Sequence, residues 1–237
     1  MIILFLRWLT KIVFAALLLT QVSYAQIEVV PGLELARAPI DETDIQAIKR
    51  GASFFATNCT ACHTMAYLRF DPIAKEAGIK ADKASINLNG VVPPDLSLIA
   101  SVRGVDWIYT YLHSFYKDPN SPTGVNNLLV PGTAMPAVLA PFQGEQELVA
   151  HPVYDMLHEV QWFDLVKPVT QGSMKPDEYE QAMHDLVNFL AYAAEPFKAE
   201  QHRIGYWVLG FLAILFVLMY FLKKEYWKDV KKSKDED

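Results

Sequence analysis

The sequence predicts a mainly α-helical protein, with an exported helical domain followed by one C-terminal transmembrane helix. Two observations support this prediction. Apolar residues recur at spacings of three and four within residues 45–55 and 183–192, as they do on the buried face of a helix. Apolar residues also concentrate at both ends of the 237-residue chain. The formal net charge of −6 argues against nucleic acid as a partner.

Residues 1–25 are predicted to be a secretory signal peptide. Arg7 and Lys11 give a basic start, an apolar stretch follows, and residues 23–25 (Ser-Tyr-Ala) form a small-x-small cleavage site. The alternative is an uncleaved signal anchor, although the apolar run after Lys11 is short for a membrane span. Under either interpretation, residues 26–202 form an exported domain, which is acidic.

A first helix is predicted over residues 41–58. Asp41 is the expected N-cap, with Asp44 in the place of the glutamate of a capping box. A second helix is predicted over residues 67–78. Beyond the proline-stiffened loop at residues 89–97, a short helix leads to Arg103, and its expected cap is Asp95 or Ser97.

The first helix ends at the pentapeptide CTACH (residues 59–63), which contains the only two cysteines of the chain. C-x-x-C-H is the attachment pattern for c-type haem, in which two thioether bonds fix the porphyrin and the histidine binds the iron. A zinc site would need more cysteines or a histidine pair, and a thioredoxin-like site would need a βαβ context. The pattern therefore predicts one covalent haem c, held by Cys59 and Cys62, with His63 as an iron ligand.

The sixth iron ligand has several candidates in the sequence. They are Met65, Met135, Met156, Met174, Met183, His113, His151, His158, His184 and His202. Met65 follows His63 too closely to reach over the ring, and Met156 and Met183 lie in apolar helical patterns. Met135 lies in a loop stiffened by prolines on both sides, and such a loop can hold a thioether at a low entropy cost. The loop chemistry favours Met135, and the other candidates stay open.

Residues 107–116 are rich in aromatic side chains, which a buried porphyrin needs as walls. Arg103 and Trp107 are the candidates to bind the haem propionates. The ordinary alternatives are a solvated arginine and a core tryptophan, since these are the commonest environments of the two residue types.

The C-terminal part begins with a helix predicted over residues 177–195, which Pro196 ends. Residues 203–223 are predicted to be a transmembrane helix in contact with membrane lipid, because the run from 204 to 222 carries no charge and aromatic residues flank it. The lysine-rich tail, residues 224–237, is expected in the cytoplasm by the positive-inside rule. This topology places the acidic domain in the periplasm.

The sequence resembles the cytochrome c1 family, the membrane-anchored haem subunits of bc1 complexes, from about Phe54 to the C-terminus. The segments that carry the resemblance are CTACHTM (59–65), NGVVPPDLS (89–97), SPTG (121–124), PGTAMP (131–136) and LAYAAEP (190–196). The resemblance implies a cytochrome c-like helical haem domain. It implies that the methionine ligand is Met135 and the propionate-binding arginine Arg103. Trp107 stands where the family often has tyrosine.

The resemblance also implies a function. The expected role is electron transfer from the Rieske iron–sulfur protein to a soluble or tethered cytochrome c, in a bacterial inner membrane, beside cytochrome b. No catalytic acid or base is expected, so the chain would be a non-catalytic subunit of an oxidoreductase. The alternatives are a membrane-anchored electron-carrier cytochrome c, a haem subunit of another oxidoreductase, and a haem sensor or peroxidase with an open sixth position.

Overall fold

The computed structural model describes residues 33–81, 87, 90–149 and 160–234, so the predicted signal peptide lies outside the described residues. The prediction of a mainly α-helical protein is confirmed. The helices are α1 (Ile45–Asn58), α2 (Pro72–Glu76), α3 (Ile99–Arg103), α4 (Val105–His113), α5 (Ala140–Gln143), α6 (Trp162–Leu165), α7 (Pro176–Ala194) and α8 (Lys198–Lys234). The strands are β1 (Leu33–Glu34), β2 (Phe115–Lys117), β3 (Val125–Asn127), β4 (Gln146–Leu148), β5 (Val160–Gln161) and β6 (Val166–Pro168).

The core forms where α1 crosses α7. The apolar face of each helix is fully buried at the crossing, and the Phe55 and Phe189 rings lie 5.5 Å apart. A Cβ atom on Gly51 would lie 1.9 Å from the carbonyl oxygen of Asp185, so the two backbones meet directly at this point. Beside the crossing, the Arg50 guanidinium donates two hydrogen bonds, of 2.6 and 2.9 Å, to the Asp185 carboxylate.

Helix α1 begins later than predicted. Its N-cap is Asp44, whose carboxylate accepts hydrogen bonds from the backbone N–H of Gln46 at 2.9 Å and of Ala47 at 3.0 Å. The predicted cap, Asp41, instead accepts from the backbone and hydroxyl of Thr43, at 2.9 and 2.6 Å. This local turn satisfies Asp41 before the helix starts.

The helix predicted over residues 67–78 is split in two. A 3₁₀ turn (Ala66–Leu68) precedes α2, which starts at Pro72, with Asp71 as its N-cap accepting from Ala74 N at 2.8 Å. Proline has no N–H and forces the residue before it out of the helical region, so one continuous helix cannot form. The predicted cap of α3 is also wrong, because α3 follows Leu98 without a side-chain cap.

A small sheet, absent from the sequence prediction, lies beside the helices. Its strand order is β3-β2-β4-β6, with β2 and β4 parallel and the other pairs antiparallel. The Gln146 amide donates to the carbonyl oxygens of His113 at 2.7 Å and of Phe115 at 2.9 Å, which fastens the sheet to the end of α4. A separate parallel pair joins β1 to β5.

The C-terminal helices match the prediction within a residue at α7, while α8 is longer than the predicted span. Only Glu195, Pro196 and Phe197 separate the two helices, and the Lys198 ammonium lies 2.7 Å from the Glu42 carboxylate. Within the described residues, one helical segment, Glu200–Lys228, is long and apolar enough to cross a membrane, with a mean hydropathy of 2.2 and no burial against the rest of the chain.

We expect Gly51→Ala to destabilise the helical domain by about 1–3 kcal/mol, because the new methyl group would overlap the Asp185 carbonyl and force the helices apart. Thermal unfolding of the detergent-solubilised chain, followed by tryptophan fluorescence, measures this loss. Ser53→Ala, at an exposed position of the same helix, is the control and should unfold near the wild-type temperature. Equal midpoints for Gly51→Ala and wild type would contradict the backbone contact.

The same crossing should give stability that depends on pH. Burial opposes ionisation of Asp185, but hydrogen bonds from Arg50, His184 and Gln181 outweigh it and lower the pKa of the carboxyl. The stabilisation is therefore complete above the unfolded-state pKa of about 4 and is lost as the pH falls through the folded-state pKa. We expect Asp185→Asn to be less stable than wild type at pH 7 and the two stabilities to converge in acid. If the difference in stability between Asp185→Asn and wild type grew on acidification, the assigned direction of the Asp185 pKa shift would be wrong.

Candidate functional site

The two cysteines lie in a tight turn at the C-terminal end of α1. Cys59 N donates to the carbonyl of Phe55 at 2.9 Å, while Cys62 N and His63 N both donate to the carbonyl of Cys59, at 3.0 and 2.8 Å. Both thiols are free. Burial, reinforced by the neighbouring Cys62, raises the pKa of the Cys59 thiol to about 12. Within the described part of the chain, no group of three or more His, Cys, Asp or Glu side chains is placed to hold a metal ion, which disfavours the zinc alternative.

The imidazole of His63 is held in one tautomer. Its Nδ1 lies 2.9 Å from the carbonyl oxygen of Pro94. A carbonyl oxygen only accepts hydrogen bonds, so Nδ1 carries the proton and Nε2 keeps its lone pair. Burial lowers the pKa of His63 and favours the neutral ring. This arrangement is the one that a metal-binding histidine requires.

A carboxylate fixes the loop that supplies the Pro94 carbonyl. Asp95 accepts from the Thr64 hydroxyl and from Ala66 N, both at 2.7 Å, and from Ser97 N at 2.9 Å. Burial opposes ionisation of Asp95, but these hydrogen bonds outweigh it and hold the pKa of Asp95 below its usual value. The residues that the sequence suggested as a helix cap therefore join the proline loop to the segment that follows His63.

A cavity of about 440 Å³ opens beside this turn. Its volume lies within the range of cofactor pockets, roughly 300–1,000 Å³. All six residues predicted as site residues line it, namely Cys59, Cys62, His63, Arg103, Trp107 and Met135. Most of the remaining wall is apolar and comes from α1, α4, α7 and the loop before α3. The cavity therefore suits a large apolar group that needs a few fixed polar contacts.

Met135 reaches the cavity on a loop that two asparagines hold in place. The Asn126 side-chain oxygen accepts from Gly132 N at 2.8 Å, and that of Asn127 accepts from Leu129 N at 2.9 Å. The Asn127 amide donates to the Tyr111 carbonyl at 2.9 Å and so joins the loop to α4. Sequence analysis assigned no role to these asparagines. Their signal is an Asn-Asn pair shortly before a proline-flanked methionine.

An aromatic column on α4 forms another wall. The Arg103 guanidinium lies 5.1 Å from the centre of the Trp107 ring, and Trp107 stacks on Tyr111 at 5.0 Å with an interplanar angle of 8°. Phe115 meets the edge of Tyr111 at 5.1 Å. The indole N–H of Trp107 is buried and makes no hydrogen bond to any described residue. An unpartnered donor beside an arginine suits an acidic group on a bound cofactor.

The other candidate iron ligands lie elsewhere, as far as they are described. His151, Met156 and His158 lie outside the described residues. Of the candidates that are described, Met135 alone lines the cavity with His63. Met65 and Met183 are fully buried in the core, Met174 packs against it, and His184 contacts Asp185 at 3.1 Å. His113 is buried and bonded to the Tyr109 carbonyl at 2.7 Å.

Comparisons with known proteins agree with this geometry. A model described as "Cytochrome C1 family" matches residues 76–230. A protein of Allochromatium vinosum named cytochrome c1 is 43% identical over 84% of this chain and 91% of its own length. A Nitrosomonas europaea protein named ammonia monooxygenase gamma subunit is 38% identical over 84% and 89%. A Bradyrhizobium diazoefficiens protein named cytochrome b/c1 is 24% identical over 81% of this chain and 34% of its own length.

Proposed function

The chain belongs to the cytochrome c1 family, and on that basis we propose that it transfers electrons from the Rieske iron–sulfur protein to a soluble or tethered cytochrome c through one covalent haem c. Family membership implies a haem cofactor and a place beside cytochrome b in a bc1 complex. The donor, the acceptor and the covalent attachment are the parts that we propose. The observation that most supports the haem attachment is the convergence of six predicted residues on one cavity, and the electron donor and acceptor are proposed from the family.

Cys59 and Cys62 would hold the haem. Each thiol would add across one porphyrin vinyl group, with the sulfur bonding one carbon and the hydrogen the other, so the addition needs no oxidant. Both cysteines of the turn at the end of α1 line the same cavity. Because the thiols are free and unpaired with each other, both are available for these bonds.

His63 and Met135 would bind the iron. The hydrogen bond to Pro94 fixes the His63 ring in the tautomer that leaves Nε2 free. The asparagine-held loop carries the Met135 thioether to the cavity. When bound, haem supplies one-electron exchange, and a His/Met ligand pair raises its potential relative to a bis-His pair. Two protein ligands would leave no open position for oxygen or peroxide.

Arg103 and Trp107 would bind the propionates. The guanidinium and the unpartnered indole N–H are the donors that a carboxylate in this part of the cavity would meet. Trp107 stacks on Tyr111 and the Arg103 guanidinium lies over the Trp107 ring, which keeps both groups beside the wall formed by α4. Trp107, in the place of the tyrosine common in the family, would donate through nitrogen rather than oxygen.

The exposed apolar helix α8 would anchor the chain in a bacterial inner membrane. Tyr206 and Trp207 at one end, and Tyr226 and Trp227 at the other, are exposed and suit the two interfaces. Lysines follow the second aromatic pair, so the C-terminus would be cytoplasmic and the haem domain periplasmic. The acidic domain would steer a basic cytochrome c, and the rate of association should fall as salt rises.

A second candidate is a haem subunit of another oxidoreductase. The observation that favours it is the 38% identical relative named ammonia monooxygenase gamma subunit. Affinity purification of the full chain from its native membrane separates the candidates. Recovery of cytochrome b and a Rieske protein supports the bc1 role, while recovery of other redox subunits without them supports the second.

We expect Met135→Ala to lose the far-red thioether–iron charge-transfer band of the ferric protein. Its reduction potential should fall by on the order of 0.1 V, a fraction of the roughly 0.8 V range that axial ligands span. Optical spectra and a redox titration of the purified chain measure both. The control is Met174→Ala, which removes a loop methionine that packs on the core outside the cavity. A band that persists in Met135→Ala would refute the ligand assignment.

A further inference from the structure

A closed circuit of hydrogen bonds surrounds the Met135 thioether. Met135 N lies 3.3 Å from the Thr133 hydroxyl oxygen, which lies 3.1 Å from the Tyr111 hydroxyl oxygen. Tyr111 Oη in turn lies 3.5 Å from Met135 Sδ, within the longer limit that applies to sulfur acceptors. Three residues thus link the backbone of the methionine to its own sulfur.

The chemistry of the four atoms, Met135 N, the Thr133 and Tyr111 hydroxyl oxygens and Met135 Sδ, fixes the donor and the acceptor of every hydrogen bond. A thioether sulfur has no proton and can only accept, so the single hydroxyl proton of Tyr111 points to Met135 Sδ. The Thr133 hydroxyl must then donate to the Tyr111 oxygen, while its own oxygen accepts from Met135 N. An ordinary phenol has a pKa of about 10, so the Tyr111 hydroxyl carries its proton at neutral pH. Each of the three donor groups therefore makes one hydrogen bond.

The Tyr111 hydroxyl, which donates to the Met135 sulfur, is rigidly placed. The Tyr111 ring lies between Trp107, stacked at 5.0 Å, and Phe115, whose ring meets its edge at 5.1 Å. Its backbone carbonyl accepts from the Asn127 amide at 2.9 Å, which ties the helix to the start of the methionine loop. Because both the ring and the backbone of Tyr111 are fixed, its hydroxyl cannot follow the Met135 sulfur when the loop moves. The hydroxyl therefore defines the position of the sulfur.

We propose that Tyr111 is a positioning residue that sets the orientation and the electron donation of the Met135 sulfur. This inference rests on the proposed function, in which Met135 binds the iron. A thioether sulfur carries two lone pairs. The pair that accepts the Tyr111 proton is not available to the iron, so the hydrogen bond selects the other pair. The hydrogen bond also withdraws electron density from sulfur, which favours the ferrous over the ferric state and raises the reduction potential.

The test compares Tyr111→Phe with Tyr109→Phe in the full-length, haem-loaded chain. Phenylalanine keeps the aromatic stack and removes only the hydroxyl. Tyr109 is the matched control, since it lies on the same helix and loses a hydrogen bond to Glu180, but it does not line the cavity. The readouts are the ferric-to-ferrous ratio against a fixed redox dye couple and the position of the thioether–iron band.

We expect the ferric-to-ferrous ratio to rise in Tyr111→Phe on the order of threefold to tenfold, the equilibrium factor for loss of one hydrogen bond, with a shifted band. Tyr109→Phe should leave both unchanged. If wild type has no thioether–iron band, the proposed ligand fails. If the band is present but Tyr111→Phe changes neither readout, or Tyr109→Phe changes them equally, the role of Tyr111 fails while the ligand stands.

A second variant, Thr133→Val, tests the role of Tyr111 if Tyr111→Phe does not take up haem. Thr133→Val keeps the tyrosine and removes the hydroxyl that donates to it, so the polarised Tyr111 donor weakens. We expect a smaller rise of the ferric-to-ferrous ratio in the same direction. An unchanged ratio in Thr133→Val, with wild-type haem content, would overturn the circuit.

Discussion

The backbone crossing of α1 and α7 is the contact on which the candidate haem site depends. Gly51 brings the two helix axes so close that any side chain at this position would meet the Asp185 carbonyl. The same two helices continue into the cavity, α1 through Phe55 and the cysteine turn, and α7 through Leu186 and Leu190. Packed interiors yield little to displacement, so a contact between backbones fixes these walls more tightly than one made through adaptable side chains.

Loops complete the site, and polar side chains give them their order. On one wall, the Asp95 carboxylate gathers two chain segments and thereby aims the Pro94 carbonyl at His63. On another, Asn126 and Asn127 hold the methionine loop against β3 and α4. Short polar side chains substitute here for the hydrogen bonds of regular secondary structure. The two candidate iron ligands are therefore positioned by the protein itself.

Local sequence patterns predicted the structural elements whose formation depends on residues close together in the chain. Helical periodicity located α1, with the cysteines at its C-terminal end, and α7, and uncharged length located α8. The prediction chose Asp41 over Asp44 as the cap because neighbouring residues offer competing hydrogen bonds. It also continued one helix through Pro72, where the proline ring breaks it. It missed the small sheet because strands of two or three residues carry no readable alternation. The role of Asp95 depends on Thr64 and Ala66, which are distant in sequence, so no local pattern reveals it.

The short connection between α7 and α8 has a mechanical consequence. Three residues, one of them a proline of fixed φ, join the haem domain to its membrane helix, and Lys198 closes the junction onto Glu42. The reach of a flexible tether grows with the square root of its length, so this one gives almost none. Under the proposed function, with α8 in the bilayer, the domain would therefore stay at a nearly constant height above the membrane surface. Any movement that electron transfer required would then belong to the proposed reaction partners.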